Sequence, residues 1–301
     1  MLQLTELPKS ITIVGGGVIG IEWASMLHDF GVEVTVLEAS PQIVPTEDAD
    51  ISKELHKILR AKGIKIYTNA KIDFTKTEQS EGKVVLIAQI EEELEAFTSE
   101  KVLLSVGRLA NIEGIGLDNT EIQIKGGVIA VNEHYQTKES HIYAIGDCIG
   151  GLQLAHVASH EGIHTVEHIA GINNVKLDPL MIAKCIYSAP EVASVGLTEK
   201  AAREKGLELK IGKFPFKAIG KALVKGDSEG FVKIIADKNS DDLLGVHMIG
   251  PNVTELISEA GLALVLNATP WELSTIIHPH PSLSEIIGEA ALAVDGKAIH
   301  Y

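Results

Sequence analysis

Residues 11–38, ITIVGGGVIGIEWASMLHDFGVEVTVLE, leave the chain few choices of fold. Residues 11–14 are a continuous apolar run, as expected of a strand buried on both faces in a parallel sheet. The run enters Gly15-x-Gly17-x-x-Gly20, and an amphipathic stretch with Ile21, Ala24 and Leu27 at helical spacing follows. Gly31 stops that helix, and residues 34–37 form a second apolar strand that ends at Glu38. In such a unit the first glycine permits a tight turn, the second lets the backbone approach a pyrophosphate, and the third lets helix and strand pack closely. Free N–H groups and the dipole at the helix N-terminus favour the anion. A glycine-rich turn in any β–α unit could produce the spacing alone. Here the strand before, the helix after and the acid closing the next strand are all present, which points to a dinucleotide. Glu38 can accept from ribose hydroxyls and repels a 2′-phosphate, so NAD is expected over NADP.

The third strand, at residues 64–67, completes a βαβαβ half of a doubly wound sheet. Its preceding helix starts near Asp50 and stops at Lys62-Gly63. From residue 70 the pattern changes to polar-bounded strands at 71–74, 84–90 and 93–97, an antiparallel insert. The run Glu91-Glu92-Glu93 is read as a solvated turn. The apolar strand at 101–106 rejoins the parallel sheet and ends at Gly107-Arg108, beyond the strand's carboxyl end, where ligands of open α/β sheets bind. A first domain therefore spans 1–118.

Residues 119–175 hold a short strand at 129–132, a second at 141–145 ending in Gly146-Asp147, and a helix at 155–170. This strand–turn–helix piece has no sheet of its own, so an exposed edge or apolar face is expected there. A third domain, 176–301, reads as α+β, after a linker at 173–182. Strands are expected at 185–187, 191–195, 210–216, 231–237 and 243–249, with helices at 198–205 and 253–266. Thr269-Pro270-Trp271-Glu272 is a capping box with proline at the first helical position. The closing helix is expected over 283–294.

With 301 residues and a net charge of −15, the chain holds more than one core and makes a poor partner for nucleic acid or anionic membranes, both of which need basic patches. No apolar run approaches the ~20 residues a membrane helix needs. No secretory signal is visible at the N-terminus, and the two cysteines, Cys148 and Cys185, form neither a CxxC pair nor a zinc pattern. A reducing cytoplasm is the expected compartment.

In the stretch HPHPSLSE at 278–285, Ser282 and Glu285 have capping-box spacing. A metal reading of His278-x-His280 has no obvious third ligand. A catalytic reading pairs His280 with Glu285: a carboxylate that orients an imidazole fixes its tautomer and makes it a general base near neutral pH.

With these stretches assembled, the chain resembles the dihydrolipoyl dehydrogenases of the flavoprotein disulfide reductase family. GGGVIGIE, SVGR, IYAIGDC, QLAHVASHEG, SAPEVASVG, KFPF and HPHPSLSE follow one another in that family's order and spacing across essentially all 301 residues. The nearest subtype is the bacterial enzymes serving branched-chain 2-oxo acid dehydrogenase complexes. The resemblance implies an α/β NAD-binding doubly wound domain with an antiparallel insert, and a C-terminal α+β dimerisation domain. It implies an NAD site at Gly15, Gly16, Gly17, Val18, Ile19, Gly20, Ile21, Glu22, Glu38, Ile72 and Gly107. It places Asp147, Gln153, Leu154, Ala155 and His156 beside FAD, and makes His280, held by Glu285, the acid/base of a homodimeric enzyme acting on the lipoyl domain of a 2-oxo acid dehydrogenase complex. Read from the residues alone, Asp147 is equally a helix-capping acid and 153–156 a plain first turn.

Family members begin with a separate FAD-binding βαβ unit and a CxxxxC redox pair, which these 301 residues do not contain. The expectation is a fragment, inactive alone, of an enzyme that oxidises protein-bound dihydrolipoamide and passes electrons through FAD to NAD. Cys148 is expected to be a buried structural thiol. Glu22, whose implied lysine partner lies outside this sequence, is expected to be unpaired. Two further readings are an NAD-binding and dimerisation module without catalysis, and another flavoprotein disulfide reductase. Arg108-Leu109-Ala110 departs from the family's commoner Arg-Arg-Pro.

Overall fold

The structure, a computed structural model, describes residues 1–172 and 177–300 and divides into two compact units, residues 1–107 with 183–301 and residues 108–182. The expected linker falls partly, and the 175/176 boundary wholly, outside the described residues.

In the first unit, the strands β1 (Ser10–Val14), β2 (Glu33–Leu37), β3 (Lys65–Tyr67) and β7 (Lys101–Leu104) form a parallel sheet of order β3-β2-β1-β7, with helix α1 (Val18–Asp29) between β1 and β2 and helix α2 (Ala49–Lys62) between β2 and β3. Ile11 pairs with Val34 on one side and Lys101 on the other. Ile11, Ile13, Val34 and Val36 are buried, as strands covered on both faces require. Asp48 caps α2 by accepting from the Asp50 N–H at 3.1 Å, and Gly63 ends the helix in the left-handed region at φ 114°.

Between β3 and β7 the chain makes the expected antiparallel meander, β4 (Lys71–Ser80), β5 (Lys83–Ile90) and β6 (Glu93–Ser99). Its apolar residues Leu86, Ala88 and Phe97 pack with Val14 and Leu37 at the carboxyl ends of β1 and β2. Glu91 and Glu92 make the exposed β5–β6 turn. β4 runs past the expected residue 74 to Ser80, with its register against β5 shifting between Asp73 and Glu78. A polar, solvent-facing hairpin arm carries no apolar signal by which to find its end.

In the second unit, β8 (Ile124–Lys125) and β9 (Val128–Ile129) form a hairpin whose turn residues Gly126 and Gly127 both have positive φ. That geometry favours glycine at both positions. The strand expected at 141–145 is not formed: among the described residues, a single bridge joins Tyr143 to Gln136. An extended segment without neighbours to pair its backbone cannot become a strand. Helix α3 (Ala155–Ile169) follows a 3-10 turn at Gly146–Ile149. α3 buries Glu161, His164 and Thr165 within its unit but exposes Ile163, Val166 and Ile169. An apolar face is left open, as expected. His134 stacks face to face with His168, ring centroids 4.0 Å apart, a packing that no sequence pattern signalled.

The chain then returns to the first unit. β10 (Lys184–Ile186), β11 (Glu191–Gly196), β12 (Leu209–Pro215), β13 (Phe231–Asp237) and β14 (Leu243–Gly250) form an antiparallel sheet of order β10-β11-β14-β13-β12. Helices α4 (Glu199–Glu204), α5 (Gly220–Lys225), α6 (Val253–Val265), α7 (Pro270–Thr275) and α8 (Glu285–Ala293) accompany it. The capping box at Thr269 and Glu272 forms as expected. The six-residue α5 carries no sequence signal: unlike α4 and α7, which are equally short, it has no side-chain cap before it. One core holds Ile51, Leu55, Ile58 and Leu59 of the nucleotide-type half together with Val192, Phe231 and Ile249 of the antiparallel sheet. Among the described residues, no helix is long and apolar enough to cross a membrane.

Candidate nucleotide and acid–base sites

At the β1–α1 turn the three glycines play separate parts. Gly15 has φ 102°, and a Cβ there would meet the Ser105 carbonyl oxygen at 2.4 Å. Gly20 lies against the Gly15 carbonyl. Around Gly17 there is open space: a Cβ would meet nothing within 4 Å. α1 starts without a side-chain cap and without an acid in its first turn. The amides of Val18, Ile19 and Gly20 are thus first-turn donors that the helix itself does not pair, beside the open space at Gly17. This cradle fits a pyrophosphate.

Glu38 is buried, and both its oxygens are engaged. Oε2 accepts from the Gly16 N–H and Oε1 from the Ser40 N–H, each at 2.6 Å. A carboxylate offers about four lone-pair sites, so acceptor capacity remains for ribose hydroxyls. Ser105, which sequence reasoning passed over within SVGR, donates its hydroxyl to the carbonyls of Val14 and Gly15 at 3.0 Å and braces the turn. Ile72 is half-buried and packs against the cluster around Phe97. Gly107 is exposed at φ 125°. Ile21 belongs to the core.

Glu22 is not unpaired. Its Oε1 accepts from the Tyr187 N–H at 2.9 Å. Tyr187 follows the end of β10, where its amide needs an acceptor from outside the sheet, and α1 supplies one.

In the second unit, Asp147 is exposed within the 3-10 turn, and Gln153 (φ 49°), Leu154, Ala155 and His156 form the entry to α3. α3 also starts without a side-chain cap or a first-turn acid. The Gly146 N–H donates to the Glu161 carboxylate at 2.7 Å, which ties the turn to the helix. Cys148 is half-buried rather than buried; its thiol donates to the Ile145 carbonyl at 3.1 Å. The turn has too little of its unit around it to enclose the sulfur. Cys185 is also a free thiol, and burial together with the neighbouring Glu191 pushes its pKa up.

His280 and Glu285 do meet, Nδ1 to Oε1 at 2.9 Å, with the His280 side chain 76% exposed. Burial alone would raise the Glu285 carboxyl. The Ser282 N–H, at 2.9 Å from Oε2, and His280 outweigh that and hold it below the usual range. The capping box is half-formed: Glu285 reaches back to Ser282, but Ser284 precedes the helix and the Ser282 hydroxyl faces Ser284 at 2.8 Å. α8 therefore starts at Glu285, two residues later than expected. His278 turns inward, with Nε2 2.8 Å from the Glu259 carboxylate.

The family described as pyridine nucleotide-disulphide oxidoreductase matches residues 1–162, and that family's dimerisation domain matches residues 182–291. The chain belongs to the pyridine nucleotide-disulphide oxidoreductases. It is 64% identical over 300 residues to a dihydrolipoyl dehydrogenase of Bacillus subtilis, covering 100% of this chain and 63% of that protein. To a dihydrolipoyl dehydrogenase of Zymomonas mobilis it is 43% identical over 301 residues, covering 100% and 64%. The fold superposes on LpdA of Mycobacterium tuberculosis with a TM-score of 0.88 and 27% identity, covering 97% of this chain and 62% of that one. It also matches the Cu(II) complex of the HOCl-induced flavoprotein disulfide reductase RclA of Escherichia coli, with a TM-score of 0.88, 29% identity and coverages of 96% and 65%. The chain thus spans somewhat less than two thirds of the length of these relatives. The fold expected from the sequence is the family's fold.

Proposed function

We propose that this oxidoreductase chain is the nucleotide-accepting and acid–base portion of a dihydrolipoyl dehydrogenase. NAD and FAD, when bound, supply the electron-carrying chemistry. The chain's own residues supply the rest. Residues 15–22 hold the pyrophosphate, with Gly17 leaving room for it and the α1 amides donating to it. Glu38 selects the ribose, and Ile72 and Gly107 border the nucleotide. Asp147 and residues 153–156 lie along FAD. Glu285 accepts from the His280 Nδ1–H, which leaves Nε2 at the exposed end of the ring to take a proton from a dithiol and to return one. The division into 1–118, 119–175 and 176–301 is part of this reading. So are a homodimer built through the dimerisation domain, a lipoyl domain of a 2-oxo acid dehydrogenase complex as the partner, and a cytoplasmic setting.

The observation that carries the nucleotide reading is the buried Glu38 beside the open space at Gly17. Calorimetry of the 301-residue chain is expected to show NAD binding and much weaker NADP binding. Equal affinities, or no NAD binding, overturn it. A second reading, binding and dimerisation without chemistry, draws on the cysteines: Cys148 and Cys185 are both free thiols. Measured turnover of free dihydrolipoamide by the chain alone would exclude that reading.

A further inference from the structure

Residues 276–284, between α7 and α8, alternate sharply. Ile277 is 96% exposed and His280 faces solvent, while the side chain of His278 between them is only 8% exposed. Pro279 and Pro281 fix φ on either side of His280, so its backbone has little freedom of its own. Where the His280 ring sits is then set by what anchors the segment before and after it.

The anchor after it is Glu285. The anchor before it is His278, which touches two helices. Its Nε2 meets the Glu259 carboxylate of α6 at 2.8 Å. Its ring also lies on the backbone of α8 at Gly288: a Cβ there would stand 3.3 Å from Nδ1 and 3.4 Å from Cε1, closer than side chains ordinarily approach. Gly288 is three residues along the same helix from Glu285. One imidazole therefore seats the segment against the helix that supplies the carboxylate for the other.

We propose that His278, held by Glu259 and seated on Gly288, is the positioning residue for His280. It sets the chain between the two prolines so that Nδ1 of His280 reaches Glu285 and Nε2 points outward. The inference rests on the acid–base reading of His280 and Glu285. A core histidine that merely filled space would need neither the carboxylate of α6 nor a glycine beneath its ring.

Two-bond 1H–15N spectra of the imidazoles in the 301-residue chain at neutral pH test it, with the His280 signals identified by their loss in His280→Gln. The native chain is expected to show the hydrogen on Nδ1 and a bare Nε2, read as two well-separated shifts. Glu285→Gln, which removes the accepting charge, measures how far these shifts can move. Glu259→Ala and Gly288→Ala are each expected to collapse the Nδ1–Nε2 separation toward that of a free imidazole while circular dichroism stays native. Glu259→Gln, which still accepts from Nε2–H, is expected to restore most of it. Gly288→Ala is the decisive variant, since alanine suits a helix better than glycine and the chain keeps its charges. If Glu285→Gln moves the His280 signals and Gly288→Ala does not, positioning by His278 is overturned and the acid–base pair stands. If Glu285→Gln leaves them unmoved, the pair itself fails, and this inference with it.

Discussion

Gly20 and Gly15 touch backbone to backbone: a Cβ on Gly20 would lie 1.9 Å from the Gly15 carbonyl oxygen and 2.7 Å from Ser105 Oγ. The contact joins the first turn of α1 to the end of β1, and Ser105 of the strand-to-loop segment after β7 bonds to the same carbonyl. Three separate pieces of chain therefore meet at one peptide group, and the nucleotide cradle inherits its shape from that meeting.

Gly20→Ala is expected to force the turn open. The obstacle is backbone, which cannot rotate away as a side-chain tip could, so a cost at or above about 1–3 kcal/mol follows. Calorimetry should show NAD affinity falling by roughly tenfold or more, and the thermal midpoint should fall with it. Gly17→Ala meets no protein atom. It should leave the midpoint nearly unchanged while still weakening NAD, and that contrast separates folding from binding.

Glu38→Ala removes the acceptor for two amides at once, those of Gly16 and Ser40. Leaving buried donors without partners costs about 1–3 kcal/mol each where water cannot reach them. The same change removes the negative charge that opposes a 2′-phosphate. Denaturant titration should show lower stability, and the ratio of NADP to NAD affinity should rise.

The cradle was legible in the sequence because its parts are neighbours: residues 11–38 form one β–α–β unit whose glycines and acid sit at fixed offsets. The His280–Glu285 pair was legible for the same reason, being five residues apart with two prolines in the segment. Glu259 lies 19 residues before His278 on another helix, and no local pattern joins them. The missing strand at 141–145 shows a different limit. Its residues favour extension, yet a strand exists only through its neighbours, and among the described residues the bridge from Tyr143 to Gln136 is all it has. Glu22 makes the same point in reverse, since its partner is the backbone amide of Tyr187, a group every residue except proline carries.

The two thiols should react at different rates. Burial and the charge of Glu191 raise the Cys185 pKa, which lowers its thiolate fraction near pH 8, and the thiolate is the reactive form. Iodoacetamide labelling followed by peptide mass spectrometry is expected to modify Cys148 before Cys185. Equal rates would contradict the raised pKa of Cys185.

Lys233 is the most demanding group in the first unit. Its side chain is 2% exposed on β13, and its ammonium lies 2.9 Å from Asp48, 3.0 Å from Asp50 and 2.7 Å from Glu199. Asp48 also accepts from the Glu199 N–H at 3.0 Å, so the start of α2 and the start of α4 are tied through one cation. Burial pulls the ammonium's pKa down, but the bonds to Glu199 and Asp48 outweigh it and take it from 10.5 to about 12. Burial likewise pushes Asp48 up, and Lys233 and the Glu199 amide overcome that to hold it below the usual range; Glu199 is lowered chiefly by Lys233. Lys233→Met keeps the volume and leaves the carboxylates facing one another. Breaking a buried pair in this way costs about 3–5 kcal/mol, and the lower end is expected because Asp50 and Glu199 are partly open to water. The pH dependence has a definite sign. Asp48 and Glu199, depressed on folding, contribute stability above the ordinary carboxyl range and lose it as pH falls through their folded values. The raised Lys233 contributes below 10.5 and loses its contribution as pH rises through about 12. Denaturant titrations of native and Lys233→Met chains should therefore differ most across the neutral range and converge below about pH 4, where carboxylates protonate. A gap that stayed constant down to acid pH would show that lost packing, and not the ion cluster, accounts for the effect.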